Sequence, residues 1–199
     1  MYEWRRMTAE ERRQALELRR LSNHPMHSPP HWDLDGQHQY LITAACYEHK
    51  PIIGKHILRM TECESTVLQV CRELTAETYA WSILPNHYHV LLKTGCVAEL
   101  RHRLGRFHGR SSFLWNGEDG ERGRQVWHNC TERVMRSERH FWATMNYVHH
   151  NPVHHGYVNR WEDWPWSSAY EFLKRVGPAK TAEIWNAYPI KDYGKKWDF

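Results

Sequence analysis

The sequence predicts an α+β fold, a ferredoxin-like or RRM-like antiparallel sheet with helices packed on it, flanked by an N-terminal arm and a C-terminal extension. Three observations predict it. Strand-like and helix-like apolar patterns follow one another as β-α-β-β-α-β-α, the order of a split βαβ unit with one more helix. The 199 residues are 41% hydrophobic and 25% charged, a globular composition that can bury a core without staples. No apolar run reaches the roughly 18 residues that a membrane span needs.

Residues 1–38 read as an appendage. Thr8-Ala-Glu-Glu11 is a capping-box pattern and starts a helix over 9–20. Leu16 and Leu18 form no clean stripe, which places this helix on a surface. Pro25, Pro29 and Pro30 make residues 23–32 an extended arm, and 33–38 a loop. The first six residues have no apolar segment behind their charges, so no signal peptide is expected.

The main domain is predicted over 39–160. Residues 40–46 are β-rich. Val67, Val70, Cys71 and Leu74 recur at helical spacing, which predicts a helix over 59–77. Two apolar runs, 78–84 and 89–94, flank Pro85-Asn86 and read as a hairpin. A helix over 97–114 buries Leu100, Leu104 and Phe107 and groups Arg103, Arg106 and Arg110 on another face. Residues 116–124 read as loop and 125–135 as a strand. A helix follows over 137–150, ended by Asn151-Pro152. Residues 161–199 form a Trp-rich extension with a short helix over 168–174.

Lys and Arg number 27 against 23 acidic residues, a net charge of +4. Residues 96–160 hold 10 Arg against 6 acidic residues and eight of the 16 histidines. Such a band suits a polyanionic partner. Cys46, Cys63, Cys71, Cys96 and Cys130 are odd in number and contain no CxxC, which points to free thiols in a reducing cytoplasm. The H-x-E…P-C-x-x-C and H-E-x-x-H zinc patterns are absent.

Two strings carry chemistry. In Pro85-Asn-His87-Tyr88-His89 the two histidines fall on one face of a strand and Tyr88 on the other. Paired imidazoles suit Mn²⁺, or Mg²⁺ that keeps its waters. They equally fit two surface histidines. In Tyr147-Val-His-His-Asn151-Pro-Val, the Tyr and Asn share a helix face. That pairing equally fits a buried Tyr and an Asn that caps the helix.

In this order and spacing, the two strings resemble the single-tyrosine HUH transposases of the IS200/IS605 type, and more closely the REP-associated tyrosine transposases. Trp127 and Trp166-Ser-Ser168 add to the resemblance, which covers residues 39–172. Tyr88 stands where the family commonly has an aliphatic residue, and His154 where it often has Lys or Arg.

The resemblance implies an HUH fold and metal-dependent cleavage and rejoining of single-stranded DNA at REP-like hairpins. Tyr147 would be the nucleophile, and a 5′-phosphotyrosine the intermediate. Mg²⁺ or Mn²⁺ would be held by His87, His89 and Asn151. Arg103, Arg106, Arg110, Arg133, Arg136 and His154 are candidate DNA contacts. It further implies a bacterial, nucleoid-associated protein of the cytoplasm. A monomer is favoured over a dimer that swaps its Tyr helix. Two other readings stand beside it: a non-catalytic single-stranded nucleic-acid-binding module built on an RRM-like sheet, and a domesticated relic without activity.

Overall fold

The computed structural model describes residues 7–21, 36–74, 76–191 and 193. The chain divides into two compact units, residues 1–32 and 33–199. In the first unit, α1 (Ala9–Leu21) begins at the capping box. The Thr8 N–H donates to Glu11 Oε2 (2.6 Å) and the Glu11 N–H donates to Thr8 Oγ1 (3.2 Å). Two donors of the first turn are thereby satisfied reciprocally. The arm predicted over 23–32 lies outside the described residues.

The second unit is a four-stranded sheet of β1 (His38–Ala45), β2 (Glu77–Ile83), β3 (His87–Thr94) and β4 (Thr131–Val134). Its order is β2-β3-β1-β4 with every neighbour antiparallel, as a split βαβ unit requires. Helices α2 (Ile57–Glu73) and α3 (Val97–Glu118) lie on one face. Tyr40, Ile42, Tyr88, Val90 and Leu92 meet Val67, Cys71, Leu100, Leu104 and Phe107 there. Helix α4 (Glu138–His154) and α5 (Ala169–Val176) cover the other face, where Leu41 and Leu91 meet Met145, Tyr147, Val148 and Phe172. Alternation along β3 thus sends Tyr88 to one core and its flanking histidines to the other. Tyr88 is fully buried, and its hydroxyl meets His108 Nε2 at 3.0 Å.

Several boundaries differ from the sequence expectation, each for a local reason. Helix α2 stops at Glu73 rather than at 77 because Glu77 pairs with Lys93 of β3. Helix α3 runs one turn past Leu114 because Trp115 and Asn116 are buried, and Glu118 and Asp119 bind the buried Arg59 guanidinium of α2. Residues 125–130 are not continuous strand. The chain touches β1 there through a single bridge, Cys46 to Trp127, while the Trp127 ring stacks on His108 at 4.3 Å.

Helix α4 does not end at Asn151-Pro152. It passes through Pro152 and closes at Gly156, whose φ of 72° is left-handed. The Gly156 N–H reaches the Val153 carbonyl (2.9 Å) and the Tyr157 N–H reaches the Pro152 carbonyl (2.9 Å), the pair of bonds of a Schellman cap. Asn151 therefore lies within the helix and is not its cap.

The C-terminal extension is integral to this unit. The Trp166-Ser-Ser168 string lies along the outer edge of β2. Ile83 N–H donates to the Trp166 carbonyl (2.9 Å), Ser168 N–H to the Trp81 carbonyl (3.1 Å), and Trp81 N–H to Ser168 Oγ (2.9 Å). The edge strand is so covered. A helix that the sequence pattern does not announce, α6 (Pro178–Ala187), follows α5 after Gly177. No helix among the described residues is long and apolar enough to cross a membrane.

Candidate active site

The site lies between β3, β1 and α4. Register sets Thr43 of β1 opposite His89 and Ala45 opposite His87. Both histidines are buried, at 1% and 0% exposure, and their rings lie 5.0 Å apart. Above them, Tyr147 and Asn151 stand one turn apart on α4. The Tyr147 hydroxyl is 3.3 Å from His89 Nε2, and Asn151 Oδ1 is 2.9 Å from His87 Nε2. One chain by itself brings all four side chains together.

The far sides of both rings are also held. His87 Nδ1 is 2.7 Å from Asn86 Oδ1, and His89 Nδ1 is 2.8 Å from Thr43 Oγ1. Asn86 Nδ2 donates to the His49 carbonyl at 3.2 Å, which settles its amide orientation and leaves Oδ1 to accept from His87 Nδ1–H. Glu48 and His49 reach this position with φ of 56° and 50°, left-handed values that cost an L-residue about 1–2 kcal/mol each. A neutral His87 protonated at Nδ1 has only a lone pair at Nε2, and that lone pair faces the Asn151 amide oxygen. An amide N–H of Asn151, whose oxygen and nitrogen exchange places by a flip, or a cation between the two atoms satisfies that lone pair.

A divalent cation fits this donor set. Two imidazole nitrogens and one amide oxygen suit Mn²⁺, or Mg²⁺ that retains water. Among the described residues no three His, Cys, Asp or Glu side chains make a metal cluster without such an amide.

The predicted DNA contacts separate into two groups. Arg133 lies opposite Leu41 in the β1–β4 register and shares the face of the histidine pair. Partial burial lowers its pKa, while the Tyr193 and Tyr147 phenols act in the other direction and Arg136 adds to the lowering. Arg133 is thus within electrostatic reach of Tyr147, and Arg136 lies beside it. His154 is exposed beside His155 (ring separation 5.3 Å), and His155 in turn is 5.0 Å from His87. Arg103, Arg106 and Arg110 are not brought to this site. Their helix packs on the opposite face of the sheet, and Arg103 pairs with Glu99 and Glu73.

Sequence reasoning missed Asn86, Thr43 and Tyr193, and read His155 as a solvated loop histidine flanking Tyr147. Asn86 adjoins a singled-out residue, and Thr43 follows from strand register once β1 and β3 are paired. Tyr193 carries no sequence signal. Its ring is 5.7 Å from Tyr147, and its hydroxyl meets His140 Nε2 (2.9 Å) and Thr144 Oγ1. Burial raises the Tyr193 pKa against the effect of Thr144 and Arg133.

A histidine pair on the central strand of a split βαβ sheet, faced by a helix that carries one tyrosine, has the architecture of the HUH fold. The comparisons agree. A Haemophilus influenzae protein whose name places it among the REP-associated tyrosine transposases is 29% identical over 136 residues, 58% of this chain and 71% of that protein. The Escherichia coli K12 REP-associated tyrosine transposase is 27% identical over 143 residues, 67% of this chain and 72% of the relative. The solved structure of a REP-associated tyrosine transposase bound to a REP hairpin matches with a TM-score of 0.60 at 18% identity, over 77% of this chain and 90% of that one. No protein-family profile matches. The chain is related to the REP-associated tyrosine transposases and shares their fold.

Proposed function

We propose that this protein is a REP-associated tyrosine transposase, a metal-dependent nuclease and strand transferase for single-stranded DNA at REP-like hairpins. The observation that carries the reading is the convergence of the Tyr147 hydroxyl, His89 Nε2, His87 Nε2 and Asn151 Oδ1 in one chain. The names of its relatives supply the substrate.

Tyr147 is the nucleophile. Its phenol oxygen forms a bond to the scissile phosphorus, the bond from phosphorus to the 3′ oxygen breaks, and in net the phenol proton passes to the departing 3′ oxygen. The products are a 5′-phosphotyrosine and a 3′ hydroxyl. One ester replaces another, so the reverse attack by a different 3′ hydroxyl rejoins DNA without ATP. A free tyrosine has a pKa of about 10 and is a weak nucleophile at neutral pH. The Arg133 guanidinium favours its phenolate by charge. His87, His89 and Asn151 would hold a divalent cation, which would supply Lewis-acid polarisation of the phosphate. Arg136 and His154 lie on the same side of the sheet and contact the DNA backbone. A complete site within one chain fits action as a monomer.

The competing binding-module reading needs an open sheet face on which bases stack. Here helices cover both faces, and β3 is buried on both. The test uses labelled hairpin DNA with a single-stranded flank, incubated with Mn²⁺ or Mg²⁺. The wild type forms a denaturation-resistant adduct. Tyr147→Phe forms none and binds the hairpin with unchanged affinity. A wild type that binds such hairpins but forms no adduct with either metal overturns the enzymatic reading.

A further inference from the structure

We infer that Asn86 and Thr43 are positioning residues: Asn86 fixes the tautomer of His87 with its proton on Nδ1, Thr43 orients the ring of His89, and each ring presents Nε2 to the space beneath Tyr147 and Asn151. The inference deepens the proposed metal-dependent reaction and rests on it for its consequence, though not for its geometry.

The two histidines are treated alike by different parts of the fold. Each Nδ1 points away from α4 and meets an oxygen, that of an amide for His87 (2.7 Å) and of a hydroxyl for His89 (2.8 Å). Each Nε2 points toward α4 and meets Asn151 or Tyr147. The Asn86 amide oxygen can only accept, so it selects the His87 tautomer in which Nδ1 holds the hydrogen and leaves Nε2 as the donor to a cation; the Thr43 hydroxyl can accept or donate, and it orients the His89 ring without choosing its tautomer. Outer groups that orient a ligating histidine are typically worth about 10–100-fold in metal affinity.

Asn86 is suited to this because its own orientation is fixed twice. Its Nδ2 donates to the His49 carbonyl (3.2 Å), and its backbone carbonyl accepts from the Cys46 N–H (2.7 Å). Thr43 is held by strand pairing, with its carbonyl accepting from Thr131 Oγ1 at 3.4 Å. A Ser hydroxyl or an Asp carboxylate can replace these acceptors, but a Val methyl or an Ala methyl cannot.

The test reads the tautomers directly. Imidazole ¹⁵N shifts of the metal-free, full-length protein report which ring nitrogen carries hydrogen, and titration with Mn²⁺ alone reports affinity. The wild type shows Nδ1–H on His87. Asn86→Ala loses that preference, and Asn86→Ala and Thr43→Val each bind Mn²⁺ about 10–100-fold more weakly. Asn86→Asp retains the tautomer and Thr43→Ser retains the affinity, which separates a hydrogen-bond effect from a folding defect. An Nε2–H tautomer at His87 in the wild type overturns the inference, and so does Mn²⁺ affinity unchanged in both Thr43→Val and Asn86→Ala. A wild type that holds the His87 Nδ1–H tautomer yet binds no Mn²⁺ defeats the metal-dependent reading instead and leaves the orientation standing.

Discussion

At the scale of single residues, the site separates groups that react from groups that only hold. Asn151 contributes an oxygen, and its value is tested by what replaces it. Asn151→Asp keeps an oxygen toward His87 Nε2, whereas Asn151→Leu keeps bulk without a donor. Adduct formation at limiting Mn²⁺ is expected to survive the first change and to fall at least tenfold in the second, measured by the Mn²⁺ concentration for half-maximal cleavage. Equal activity of wild type and Asn151→Leu at every Mn²⁺ concentration would remove Asn151 from the ligand set. Tyr147→Phe is mild for stability. Its hydroxyl meets His89 Nε2 at a long 3.3 Å, and losing such a bond costs about 1 kcal/mol or less. The adduct defect is therefore not a folding defect, as a urea melt of that variant will show.

At the scale of elements, the two reacting strings were legible because each sits in one regular element whose periodicity fixes its face. His87 and His89 alternate on a strand, and Tyr147 and Asn151 lie a turn apart on a helix. Where those elements end was less legible. Pro152 reads as a stop, yet α4 runs on to His154, because Asn151 and Pro152 are themselves buried and that packing outweighs one lost helical hydrogen bond. The arginines of α3 show the limit of helical spacing alone: it groups them on one face, but the choice between the two sides of the sheet is made by chain connection. Helix α6 was invisible because its one buried residue, Thr181, makes no apolar stripe.

Two measurements follow at this scale. A Cβ on Gly156 meets nothing within 4 Å, so only its φ of 72° resists substitution. Gly156→Ala is expected to lose about 1–2 kcal/mol in denaturant unfolding, with secondary structure intact by circular dichroism. Ser168 holds the covered edge of β2 and meets His149 Nε2 at 2.9 Å as well as the Trp81 N–H. Ser168→Ala leaves both buried groups without that partner and should cost about 1–3 kcal/mol. No loss of stability would show that the tail does not brace the sheet.

At the scale of the whole molecule, two neutral imidazoles bury themselves in opposite cores and make the fold acid-sensitive. His108 lies between α3 and the sheet, stacked on Trp127, and burial lowers its pKa to about 4. His149 lies on the far side of α4 among Trp161, Phe172 and Trp185. Burial lowers its pKa to about 3, with His150 and Arg175 adding by charge. Both folded values are depressed below the 6.5 of an unstructured histidine. Above that pH neither the folded nor the unfolded chain is protonated at these rings, and their contribution to stability is complete. Below it the unfolded chain takes up protons that the folded chain refuses. Each ring then lowers stability by up to about 1.4 kcal/mol per pH unit. The loss ends near pH 4 for His108 and near pH 3 for His149. Burial also lowers the pKa of His140 and His150, so both add to this response. Urea unfolding between pH 7.5 and 4.5 is expected to show stability that is flat at first and then falls. His149→Gln keeps a polar group toward Ser168 and removes one titrating ring, so it should make the slope shallower by up to about 1.4 kcal/mol per pH unit while lowering stability at pH 7.5. A slope unaltered in that variant would mean that other groups carry the acid response.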